Sequence, residues 1–152
     1  MSETLDVPEL VRKHGLKPAG RSVNTEYFEL DAGVLIVIPL DGSRDDGASA
    51  RSNVDLQTKF FRERGQKGAV IIFFDRMKAQ DRHARTVYSD MDQALTATAL
   101  VGGSMLTRAM ASFLLGIARP KVPIKLFPTF EAALEWVREM NRTADRSFGE
   151  GG

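Results

Sequence analysis

The sequence predicts an α/β domain of order β-β-α-β-α-β-α-β-α, with a mostly parallel mixed sheet and helices packed on it. Three observations predict it. Residues 34–38 (VLIVI) and 69–74 (AVIIFF) are wholly apolar, the pattern of strands covered on both faces. Between them, residues 51–64 place Val54, Thr58 and Phe61 on one stripe with Phe60 beside it and end in Gly65, so a helix crosses over and makes the two strands parallel. Residues 95–137 then read as strand, glycine turn, long helix, strand and closing helix.

A chain of 152 residues is the size of one domain, able to bury about two thirds of its unfolded surface without staples or metal. Cysteine is absent, which excludes disulfides and thiolate metal sites and agrees with a reducing compartment. Twenty-one basic and twenty acidic residues leave a formal charge of +1, so composition gives no field for nucleic acid. The first ten residues lack a basic segment followed by an apolar run, and no stretch reaches the roughly 18 apolar residues of a membrane span. A cytoplasmic chain is expected.

Residues 1–22 are expected to form an N-terminal arm, with Asp6 capping a short helix, Pro8 early in it and Gly15 as its stop. The arm's basic residues, Arg12, Lys13, His14, Lys17 and Arg21, are expected to be solvated. The domain proper is expected to span residues 23–141. Residues 26–31 alternate and turn through Asp31 to Gly33 into VLIVI, a hairpin whose second strand lies near the sheet centre. Residues 39–49, PLDGSRDDGAS, read as a long loop; Asp41, Asp45 and Asp46 lack the spacing and further oxygen ligands of a hard-metal site, so no metal is expected.

Candidate site residues cluster after the strands. Asp75, Arg76 and Lys78 follow AVIIFF at its carboxyl end, where ligands collect in open α/β sheets; Asp75 as a helix cap or loop former is the plainer alternative. Residues 81–91 repeat apolar positions at Ala84, Val87, Tyr88 and Met91, a helix with His83 off its stripe and exposed. After the strand over 94–101, Gly102, Gly103 and Ser104 form a strand-to-helix turn whose N–H groups could hold a phosphate or carboxylate, with Arg108 as counter-charge; a tight turn with a helix cap is the more economical reading. In the helix over 105–118, one face is apolar and the remaining surface is small and nearly uncharged. Thr107, Ala111, Ser112, Leu115 and Ala118 are therefore candidate interface residues, for a second subunit, a ligand or the N-terminal arm. Pro120 stops that helix. Val122, Ile124 and Leu126 make a last strand at or near an edge, and Thr129 caps a closing helix with Trp136 at the rim of its apolar face. Residues 142–152 are expected to be a loose tail.

The segment GGSMLTRAMASFLLGIARPKVPIKLFPTFEAALEWV resembles the C-terminal half of small bacterial STAS-like proteins, the branch grouped with anti-sigma-factor antagonists and, more loosely, with CRAL-TRIO lipid-transfer domains. The likeness rests on a Pro-containing strand ending near Phe, here residues 123–127, and on Ala133-Leu134-Glu135-Trp136 in the closing helix. Its extent is roughly residues 26–141. The resemblance implies a regulatory or ligand-binding module that works by protein contact, often through the helix after the third strand. In the antagonists a phosphorylated serine or threonine starts that helix. This chain has FFDRMKAQDRHAR there, without a hydroxyl residue between Phe73 and Arg85, although Asp75 supplies a fixed negative charge nearby.

These readings lead to a non-enzymatic regulatory or ligand-binding domain, homodimeric, with a possible regulatory protein partner and without a cofactor. Two alternatives stand beside it. One is a small apolar-ligand or lipid-binding protein at a membrane surface, motivated by the apolar helix and basic arm together. The other is an enzyme or receiver-like domain using Asp41, Asp75 and Ser104, each after a different strand; against it, no histidine lies near a nucleophile and Gly102 to Leu106 lacks the last glycine of a nucleophile elbow.

Overall fold

The computed structural model describes residues 5–31, 33–89, 95–105, 107–109, 112 and 122–150, with side chains at 89 and 145–150 left aside. Among these residues the strands are β1 (Lys17–Arg21), β2 (Thr25–Leu30), β3 (Val34–Pro39), β4 (Ser43–Asp45), β5 (Gly68–Phe73), β6 (Met77–Gln80), β7 (Leu95–Val101) and β8 (Ile124–Phe127). The helices are α1 (Val7–His14), α2 (Gly47–Arg64), α3 (Arg82–Ser89) and α4 (Phe130–Glu150), and residues 105, 107–109 and 112 are also helical.

The main sheet has the order β1-β2-β3-β5-β7-β8. Pairs β1/β2 and β2/β3 are antiparallel, whereas β3/β5, β5/β7 and β7/β8 are parallel, so the mixed, mostly parallel α/β sheet is as expected. Every residue of β3 is buried because alternate side chains enter two cores. Val34, Ile36 and Ile38 join Ala133, Leu134 and Val137 of α4, while Leu35 and Val37 join Phe60 and Phe61 of α2 on the opposite face. Strand pleat converts an apolar run into two half-cores. Strand β8 forms one edge, as read from the sequence, and Trp136 packs its ring 5.4 Å from Phe127.

Four expectations need correction. Lys17–Arg21 lies inside the expected arm yet zips onto β2, so the sheet starts before residue 23. Residues 142–150 continue α4 instead of forming a tail. The expected loop over 39–49 contains β4, which pairs with β6 in a second, two-stranded sheet. Finally, α2 buries Ala50, Asn53, Gln57, Phe60 and Phe61, so its inward face is turned toward Asn53 and Gln57 and away from Val54 and Thr58.

Polar groups supply the reason for that rotation. Asn53 accepts the Tyr27 hydroxyl at 2.6 Å and donates to Asn24 Oδ1 and Tyr88 Oη, each at 3.0 Å. Asp45, 4% exposed, accepts from Tyr88 Oη at 2.5 Å, from Asn24 Nδ2 at 3.2 Å and from the Ser49 hydroxyl. Burial, with the Asp45 charge adding to it, pushes the Tyr27 and Tyr88 phenols well above their ordinary range, so both stay protonated donors. A polar inward face is tolerated because Asn53, Tyr27, Asn24, Tyr88 and Asp45 satisfy one another, while Gln57 Oε1 is buried without a partner.

Candidate functional site

Strands β5 and β7 end side by side, with Phe73 opposite Val101. The segments that follow therefore leave the sheet as neighbours. After β5 comes a single 3-10 turn, Phe74–Arg76, and after β7 come Gly102, Gly103 and Ser104. This register brings Asp75 and Ser104, two of the residues singled out by sequence, into direct contact.

The Asp75 carboxylate accepts from the Gly103 N–H at 3.1 Å, the Ser104 N–H at 3.0 Å and the Thr107 hydroxyl at 2.6 Å. Ser104 caps the helix, its Oγ accepting the Thr107 N–H at 3.1 Å and donating to Thr107 Oγ1 at 2.9 Å. The anion-holding turn read from Gly102, Gly103 and Ser104 is thus occupied by the chain's own carboxylate. Partial burial pushes the Asp75 carboxyl upward, but the hydrogen bonds from Thr107, Ser104 and Gly103 outweigh it and hold the group below the usual carboxylate value. A low-pKa carboxylate at the end of a Ser-Thr hydroxyl chain orders a turn; it is a poor base for activating Ser104.

The remaining candidates divide. Arg76 is a structural tie, its Nε donating to the Pro39 carbonyl at 2.7 Å and its Nη1 to the Leu5 carbonyl at 3.5 Å. Arg108 is exposed and makes no ion pair with Asp75; its contribution is the N–H bond to the Ser104 carbonyl at 3.0 Å. Thr107, expected on the exposed helix surface, is fully buried because its hydroxyl reaches Asp75. Ser112 is exposed, whereas Ala111, Leu115 and Ala118 lie outside the described residues. Asp41 is exposed and shares a groove of about 810 Å³ with Asp75, floored by Phe73 and Phe130 and bordered by Leu10 and His14 of α1. Met105, immediately after the lock, is 88% exposed.

A second groove, about 910 Å³, runs between α2 and α3 past Arg51, Asp55, Lys59 and His83. His83 is exposed there, as expected. Among the described residues no group of three His, Cys, Asp or Glu is placed to hold a metal, and no helix is long and apolar enough to cross a membrane.

A family model described as Domain of unknown function (DUF7793) matches residues 28–141. A search of curated proteins finds no match. Among solved structures, the anti-sigma factor antagonist SpoIIAA in its unphosphorylated form is similar at a TM-score of 0.50 and 17% identity, over 75% of this chain and 97% of that one. An uncharacterized protein of the DUF3478 family with a SpoIIAA-like fold, from Shewanella loihica, is similar at a TM-score of 0.52 and 15% identity, over 90% of this chain and 98% of that one. At such identities the likeness establishes the fold, which is the STAS-like one that residues 123–127 and 133–136 pointed to.

Proposed function

The chain belongs to the family described as Domain of unknown function (DUF7793), and from that premise we propose that it is a non-enzymatic regulatory module that binds a protein partner at the carboxyl edge of its sheet. One observation carries the reading. The Asp75 carboxylate is engaged by its own chain, while the apolar side chain just beyond that rigid turn, Met105, stands in solvent. An edge built this way offers a shaped surface and few reactive groups. Methionine suits such a contact because its unbranched, polarizable side chain adapts to a partner.

The similar structure named as an anti-sigma factor antagonist supports a protein-contact role, since that protein's name describes action on another protein. A phosphoswitch in the stretch after β5 does not carry over, because residues 74–84 hold no hydroxyl. Asp75 gives this edge a permanent charge instead. Homodimerisation belongs to the same proposal, with Ser112 on the helix face offered to a second copy.

Immobilised wild-type and Met105→Glu proteins, compared for what each retains from the native host's extract, test the reading. A partner held by the wild type and lost from the variant, with circular dichroism unchanged, is the expected result. Identical retention by both, or by an unrelated bait, overturns it. Light scattering at tens of micromolar reports separately on the dimer.

A further inference from the structure

Helix α1 sits over the 810 Å³ groove with no fully buried residue, and Leu5, Val7, Leu10 and Val11 reach the core only half-buried. Its fastenings are weak. Lys13 pairs with Glu131 at 3.7 Å with both side chains more than 60% exposed, and a pair so open to water contributes little. Arg76 reaches the Leu5 carbonyl at the long distance of 3.5 Å. The His14 ring meets Phe130 edge-on at 4.7 Å, but its Nε2 is buried there without a partner, so docking carries an unmet desolvation cost.

Attachment changes abruptly at Gly15. On its far side Leu16 is buried, and Lys17–Arg21 is hydrogen-bonded along β2. Gly15 itself is left-handed, φ 65°, and nothing lies within 4 Å of where a side chain would begin. A glycine in open space between a loosely held helix and a firmly held strand is a natural pivot.

We propose that α1 is a hinged cover: it opens about Gly15 while the sheet stays folded, and its position controls access to the groove beside the Asp75 turn. Opening exposes Phe73, Val101 and Phe130 and hydrates His14. The proposal concerns motion and stands whether or not a partner protein binds this edge.

The chain has no cysteine, so Val101→Cys, inside the groove, introduces a single thiol whose labelling reports opening. Adding Leu10→Ser, which weakens the apolar face of α1, is expected to speed labelling by about tenfold, while His14→Phe, which keeps the ring and removes the unpartnered nitrogen, slows it. Amide exchange measured on the chain without the added thiol gives the second readout. Amides of α1 are expected to exchange at least about a hundredfold faster than those of β3, and Leu10→Ser to move the former only. Exchange of α1 and β3 at one common rate, or labelling unchanged by Leu10→Ser, overturns the hinge.

Discussion

The Asp75 carboxylate lies where a side chain on residue 102 would have to begin. Gly102 has φ 142°, and a Cβ built there would overlap Oδ1 and Cγ of Asp75 far inside van der Waals contact. The glycine that the sequence offers as half of a ligand turn is required by an internal acid.

Gly102→Ala is therefore expected to cost about 2 kcal/mol or more, from positive-φ strain and from displacement of Asp75. For a chain of this size that is a fall in Tm of roughly 4–8 °C. Gly103→Ala, with open space around it, is expected to stay within about 0.5 kcal/mol. Thermal and urea unfolding of the pair separates the lock from a general loss of glycine.

Asp75→Asn removes the charge and is expected to lower stability at neutral pH, with an acid-dependent difference. Because the folded-state pKa of Asp75 is depressed, its stabilisation is complete above the unfolded carboxyl value, about 4, and is lost as pH falls through the folded value. The gap between wild type and Asp75→Asn should hold steady from pH 7 to 5 and narrow below pH 4 in urea titrations. A gap that stays constant to low pH would mean that the charge contributes nothing.

The Asp45 network should be costly to break. Asn53→Leu removes the acceptor of the buried Tyr27 hydroxyl and one donor each from Asn24 Oδ1 and Tyr88 Oη, and a loss of about 2–4 kcal/mol is expected. Tyr88→Phe withdraws one donor from the buried Asp45 carboxylate and should cost about 1–3 kcal/mol. Equilibrium unfolding checks both.

The parts of the fold legible in the sequence are those where packing alone dictates residue type. VLIVI and AVIIFF could hardly be anything but doubly covered strands, and Ser104 as a helix cap follows from local chemistry. The parts that were not legible depend on partners distant in sequence. Strands β1 and β4, KPAGR and SRD, are short and polar and pair by backbone, so nothing in their side chains announces them. The turn of α2 toward Asn53 and Gln57 makes sense only once Tyr27 is opposite, and a hydrophobic stripe points elsewhere. At the candidate site the sequence singles out both Asp75 and Ser104, but not that one occupies the other's anion site. That depends on Phe73 and Val101 being in register. Thr107 reads from the sequence as a small surface residue of its helix, and only Asp75 beside it explains its burial.

The lock at the carboxyl edge is tested most directly by a carbon-13 NMR titration of the Asp75 side-chain carboxyl in the intact chain, followed together with the Gly103 and Ser104 amides. A midpoint below the usual carboxylate value is expected, with both amides shifting at that same midpoint as their acceptor is protonated. A midpoint at or above the ordinary aspartate value, with the two amides indifferent to it, would contradict the account.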